Sequence, residues 1–217
     1  MGNIPTGLLV SDVDSTFLTQ EVIELVADHA GVRDRVEEIT TAAMRGDLDF
    51  AASLRARVAM LKGLPAEVIQ EVRAQLVPTD GALELVAQAR SAGWVTALVS
   101  GGFVEVIEPL AHEAGIDHVV ANRFEIREGH LTGSVQGRII DESVKEQALR
   151  DLAAHYGLPL TRTVAIGDGA NDAAMLRAAG LGIAFCAKPV LRDSADAVID
   201  TRDLMLAWPL MERQLEA

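Results

Sequence analysis

Five short apolar runs punctuate this sequence: LLVSDVD (8–14), WVTALVS (94–100), TVAIGD (163–168), LGIAFCA (181–187) and DAVID (196–200), each bounded by Gly, Asp or Ser. Runs of this kind suit strands buried on both faces, as in a parallel sheet. Between the later runs lie segments with helical periodicity at 81–92, 103–114, 143–156 and 171–179. Strands alternating with helices of roughly ten to fifteen residues predict a doubly wound α/β sheet.

Two stretches break the alternation. Residues 18–76 show helical periodicity four times over and no strand-like run, which predicts a helical cap domain (18–76) inserted after the first strand of an α/β core (1–17 and 77–217). Gly31, Gly46 and Gly63 follow periodic segments as C′ glycines, Pro65 suits the first turn of the next helix, and Asp47 or Asp49 suits an N-cap. The second stretch, 121–139, has period-two runs around Glu128-Gly129 and Gly133, as a small β-hairpin insertion would.

Bulk properties narrow the function. Of 217 residues, 32 are acidic and 19 basic, a net charge of −13 that argues against nucleic acid as a partner. Hydrophobic residues at 49% supply a core. Cys186 is the single cysteine, so no internal disulfide and no cysteine metal site form, and the five histidines show no ligand spacing. The start of the chain lacks the basic and apolar regions of a signal peptide, and no apolar run approaches the ~20 residues that span a bilayer. A cytoplasmic monomer or homodimer without a membrane partner is expected.

In an open parallel sheet, ligands bind at the carboxyl ends of the strands. Three predicted ends carry Asp12-Val13-Asp14-Ser15-Thr16, Ser100-Gly101-Gly102 and Gly167-Asp168-Gly169-Ala170-Asn171-Asp172. Taken singly, the acids read as helix caps and the glycines as a turn. Together they aim several carboxylates at one edge, where mutual repulsion calls for a divalent, oxygen-loving cation. Ser143-Val144-Lys145-Glu146 reads as a capping box that puts Lys145 in a first helical turn, where a cation opposes the helix dipole. Either Lys145 is an exposed bystander or an anion holds it there.

The set reads as a phosphoryl-transfer site. Mg²⁺ held by the carboxylates would supply positive charge to a phosphate, and Lys145, the Ser100 hydroxyl and the Gly101 N–H would neutralise its remaining oxygens. Asp12 is then the candidate nucleophile, and Asp14 the general acid in the first step and base in the second.

At these positions the chain resembles the haloacid dehalogenase (HAD) superfamily, whose four motifs match the Asp12–Thr16 segment, Ser100, Lys145 and the Gly167–Asp172 segment. That resemblance implies a Rossmann-like core and one Mg²⁺ per chain, or Mn²⁺, held by Asp12, the Asp14 main-chain carbonyl and Asp168 with Asp172 in support. Further stretches, 16–21, 43–50, 53–58, 99–103 and 187–189, resemble the phosphoserine phosphatase family. By that resemblance Glu21, Arg57, Ser100, Gly101, Lys145 and Asn171 contact substrate, and Met44 and Phe50 line the pocket. Phe17 stands where a smaller aliphatic residue is usual in the family, and the N-terminal regulatory domain that some members carry is not expected.

Along 49–62, Phe50, Leu54, Arg57 and Leu61 form one stripe with an arginine in apolar company. Spacing alone lets its stem snorkel to solvent. A phosphorylated amino acid would instead give the guanidinium a carboxylate and Glu21 an ammonium. The resemblance implies hydrolysis of O-phospho-L-serine in serine biosynthesis. Open alternatives are a phosphotransferase or a phosphatase for a related small phosphorylated amino acid such as phosphohomoserine, and a non-catalytic binding module on a degenerate scaffold.

Overall fold

The computed structural model describes residues 4–44 and 49–216. Its sheet contains β1 (Leu8–Ser11), β2 (Val95–Phe103), β3 (His118–Arg127), β4 (His130–Gln136), β5 (Thr163–Gly167), β6 (Leu181–Phe185) and β7 (Ala197–Ile199). The spatial order is β4-β3-β2-β1-β5-β6-β7, and every pairing is parallel except β3 with β4. The chain crosses from β1 to β2 on one side and later returns to place β5 on the other. The end of β1 is therefore a topological switch point, where such sheets bind ligands.

The helices are α1 (Val22–His29), α2 (Arg33–Met44), α3 (Phe50–Ala59), α4 (Val68–Arg73), α5 (Ala82–Ser91), α6 (Val104–Ala114), α7 (Glu142–His155), α8 (Ala173–Ala178), α9 (Pro189–Arg192) and α10 (Trp208–Glu216). Strand residues alternate between two cores. Leu9, Leu98, Ile166 and Ile183 join Leu85, Ile107 and Met211 from α5, α6 and α10. Leu8, Val10, Val99 and Ala165 join Leu149, Met175 and Leu191 from α7, α8 and α9. Each buried Leu, Ile or Val contributes about 1.5–3 kcal/mol, so the period-two pattern holds helices on both faces. Among the described residues no helix is long and apolar enough to cross a membrane.

The expected hairpin begins earlier than residue 121 and belongs to the main sheet. The first half of β3 pairs in parallel with β2, from Ala97↔His118 to Ser100↔Ala121, and only its second half pairs with β4. Glu128 (φ 49) and Gly129 (φ 75) make the turn, both with the positive φ that a tight hairpin of this hand requires.

Helices α1 to α4 occupy the stretch between β1 and α5. The two crossing segments run side by side: Thr19 N–H donates to Val77 O (3.0 Å) and Thr79 N–H to Phe17 O (2.9 Å). A second attachment lies at the hairpin tip, where Gly63 N–H donates to Leu131 O (2.9 Å), Leu131 N–H to Leu64 O (2.9 Å) and Ala66 N–H to Gly129 O (2.7 Å). Gly63 (φ 87) therefore serves this pairing, four residues past the end of α3, instead of closing the helix as a C′ residue. Pro65 bridges to His130, and α4 starts only at Val68. Gly31 (φ 66) does follow α1 at C′, and Asp49 caps α3 by accepting from Ala52 N–H at 2.7 Å. Gly46 and Asp47 lie outside the described residues.

Candidate active site

β1 ends in Asp12, whose N–H continues the ladder to Ile166 O (2.9 Å). The chain then turns sharply through Val13–Phe17, with Ser15 in the left-handed region (φ 57). A non-glycine residue held there marks a backbone constrained by its surroundings. Arg202 Nη1 donates to the Ser15 carbonyl (3.2 Å), and Ser15 Oγ donates to Glu21 Oε1 (2.5 Å). The same turn aims Asp14 back toward the sheet edge. Its Oδ1 accepts from Val22 N–H at the start of α1 (2.6 Å), and its Oδ2 accepts from Ser100 Oγ (3.1 Å).

Lys145 is fully buried, which removes the exposed reading. Its Nζ donates to Asp12 Oδ1 (2.6 Å) and to Asp172 Oδ1 (2.7 Å). Burial alone would lower its pKa, yet the two carboxylates push it upward. The helix that carries it begins differently from expectation. Asp141 is the N-cap, accepting from Val144 N–H at 3.0 Å, and the Ser143 hydroxyl donates to Asp141 (2.7 Å) instead of closing a capping box with Glu146. Asp141 has the extended backbone an N-cap needs, so the helix starts earlier than the Ser-x-x-Glu pattern indicates.

Asp172 completes the turn after β5. Its Oδ2 accepts from the N–H groups of Asp168 (3.3 Å) and Gly169 (3.2 Å). It fits because residue 167 is glycine: a β-carbon there would stand 2.5 Å from Asp172 Cγ.

One oxygen from each of Asp12, Asp168 and Asp172 lies within 4.8 Å of the others. Burial is the main cause that raises Asp12, to about 7, and Asp172 and Asp14 add to it against the opposing Lys145. Asp168 is pushed well above the usual carboxylate range by burial, Asp12, Asp172 and Glu21, with Lys188 acting the other way. Three buried carboxylates, of which one lysine pairs with only Asp12 and Asp172, offer oxygen alone as donor and fit a hard divalent cation.

Above this edge, a cavity is lined by Asp12, Asp14, Glu21, Arg57, Gly101 and Asn171 among others. Arg57 does not snorkel: it is 4% exposed, its Nη1 donates to Thr40 Oγ1 (2.9 Å) and its Nε to Ser53 O (3.3 Å). Burial lowers its pKa against the pull of Glu21, Asp14 and Glu24. Burial raises Glu21 to about 8, with Asp14 and Asp12 adding to it and the Ser15 bond opposing. Phe50 and Asp168 also line it, whereas Ser100, Lys145 and Asp172 do not: Ser100 bonds Asp14, and Lys145 bonds Asp12 and Asp172. Met44 ends α2, and its side chain lies outside the described residues. Thr40, which holds Arg57, has no sequence signal of its own, and Ser15, though part of the Asp12–Thr16 segment, carries no sign there of its bond to Glu21.

The haloacid dehalogenase-like hydrolase family model matches residues 9–177. The phosphoserine phosphatase of Streptococcus thermophilus is 52% identical over 198 residues, covering 91% of this chain and 92% of that relative. The phosphoserine phosphatase SerB2 of Mycobacterium tuberculosis is 55% identical over 190 residues, 88% of this chain but 46% of the relative, so this chain spans about half of that protein's length. A solved structure described as a phospho-aspartyl intermediate analogue of phosphoserine phosphatase superposes with a TM-score of 0.92 at 42% identity, covering 95% of this chain and 99% of that one.

Proposed function

This chain belongs to the haloacid dehalogenase-like hydrolase family, and from that premise we propose that it hydrolyses O-phospho-L-serine to L-serine and phosphate in the cytoplasm. The observation that carries the reading is the pairing of Asp12, held by Lys145, with Asp14, held by Ser100 and Val22, on one edge below a cavity that also contains Arg57 and Glu21.

Asp12 attacks phosphorus through a carboxylate oxygen; the new O–P bond makes an aspartyl-phosphate as the P–O bond to serine breaks. Asp14 gives its proton to the departing serine oxygen. It is suited to hold that proton, because burial raises its pKa against the bonds from Val22 and Ser100. In the second half Asp14 takes a proton from water, whose oxygen attacks the phosphoryl group and releases Asp12 and inorganic phosphate. Lys145 keeps Asp12 oriented, and its charge, with the Gly101 N–H and Asn171, favours the anionic phosphoryl group, while the Ser100 hydroxyl holds Asp14.

Asp12, the Asp14 main-chain carbonyl and Asp168, with Asp172 in support, are the residues we assign to Mg²⁺. When bound, it would supply positive charge at the phosphate and let the crowded carboxylates stay ionised. At the other end of the substrate Arg57 pairs with the α-carboxylate and Glu21 accepts from the α-ammonium, while Met44 and Phe50 bound the pocket. Residues 18–76 act as the cap that shields the reaction from bulk water.

Phosphate release from phosphoserine, with Mg²⁺ and again with a chelator, tests this reading. Release that depends on the metal is expected, and no release with Mg²⁺ would overturn the substrate assignment.

A further inference from the structure

Asn122 is 1% exposed on β3, and both polar atoms of its side-chain amide are bonded. Nδ2 donates to Gly101 O (2.8 Å), and Oδ1 accepts from Ile140 N–H (2.9 Å), on the segment that leads into α7 and Lys145. The Gly101 carbonyl needs this partner because the β2–β3 ladder shifts register between Ser100 and Phe103, which leaves Gly101 and Gly102 out of the pairing.

The carbonyl of Gly101 and the N–H of Gly102 belong to one peptide plane, so fixing one fixes the other. That Gly102 N–H donates to Ser100 Oγ (2.7 Å), and Ser100 Oγ donates to Asp14 Oδ2 (3.1 Å). A continuous chain of hydrogen bonds therefore runs from Asn122 through the Gly101–Gly102 peptide and the Ser100 hydroxyl to the Asp14 carboxylate. With its oxygen accepting from Gly102, the hydroxyl hydrogen is directed at Asp14. Residue 102 must be glycine for this, since a β-carbon there would stand 2.8 Å from Asp14 Oδ2 and 3.0 Å from Ser100 Oγ.

We propose that Asn122 is a positioning residue for Asp14, acting through the Gly101–Gly102 peptide and Ser100. The inference rests on the reading of Asp14 as the general acid and base. Bonds in such a chain polarise one another, so losing the first weakens the last.

A double-mutant cycle tests it, read on p-nitrophenyl phosphate turnover so that serine recognition does not enter. Asn122→Asp keeps the acceptor for Ile140 and loses the donor; Asn122→Ala is its uncharged counterpart. Each should lower kcat by about tenfold, the size of one buried hydrogen bond, in the wild-type background. With Ser100→Ala, where the chain is already cut, the further loss should shrink below about twofold. An equal loss in both backgrounds overturns the relay, whereas no effect of Ser100→Ala alone overturns the reading of the site beneath it.

Should neither Asn122 variant fold, the Gly102 amide decides. Its exchange with solvent should be slow in the wild-type protein, and its NMR resonance should move in Ser100→Ala. A fast-exchanging, unmoved amide overturns the relay.

Discussion

Phe50, at the start of α3, stands so close to Gly101 that a β-carbon on residue 101 would lie 2.6 Å from the ring's Cζ. This contact joins the inserted helices to the sheet edge directly over Asp12 and Asp14. Gly101→Ala should push the ring away and lower kcat/KM by roughly tenfold or more, in line with overpacking costs of about 1–3 kcal/mol. Steady-state kinetics on Gly101→Ala and on Gly101→Ala with Phe50→Ala checks the cause. The double variant should recover part of the loss; equal defects would place the damage in the backbone at the end of β2 itself.

Lys145 pairs with two buried carboxylates at once. Replacing it by methionine leaves them facing each other, and unpairing a buried charge costs about 3–5 kcal/mol. In chelator, Lys145→Met should melt some 6–20 °C lower than the wild type. Added Mg²⁺ should restore part of that difference. An unchanged melting temperature would show that the buried pair contributes little to the fold.

The raised carboxylates set a pH dependence. Asp12 moves from 3.8 to about 7 and Glu21 from 4.5 to about 8, so between these values the folded protein holds protons that the unfolded chain has released. The stability this gives is complete below about pH 4 and is lost as pH rises through 7 to 8. Melting temperatures in chelator should therefore fall from pH 5 to 8.5, and Glu21→Gln should flatten the slope. A rise over the same interval would contradict the burial of these groups.

Arg57 lines the cavity and is braced by Thr40. Arg57→Ala should reduce kcat/KM for phosphoserine by about a hundredfold, the scale of a charge-assisted pair, and reduce that for an aryl phosphate far less. Thr40→Ala should show the same selectivity at smaller size. Equal losses on both esters would remove Arg57 from substrate recognition.

The strands and the acids at their ends were legible because each is local: an apolar run, then Asp, Ser or Gly. What could not be read is contact made by main chain or by distant partners. The pairing of residues 63–66 with the hairpin tip uses backbone groups and leaves no side-chain pattern, so Gly63 and Pro65 looked like helix punctuation. Arg57 on an apolar stripe fits both a snorkelling and a buried residue; α2, bringing Thr40 against it, decides. Lys145 pointed to an anion, but its partners in the structure are Asp12 and Asp172, 133 and 27 residues away. Asn122 has no signal of its own within a period-two run, and the sequence reading places no helix at α10.

The central claim is that Asp12 carries the phosphoryl group. Rapid acid quench of the wild-type protein with ³²P-labelled phosphoserine should trap label on Asp12, identified by peptide mapping. Asp12→Asn, folded by circular dichroism, should trap none and release no phosphate. Label on another residue, or phosphoserine turnover by Asp12→Asn, would contradict the account.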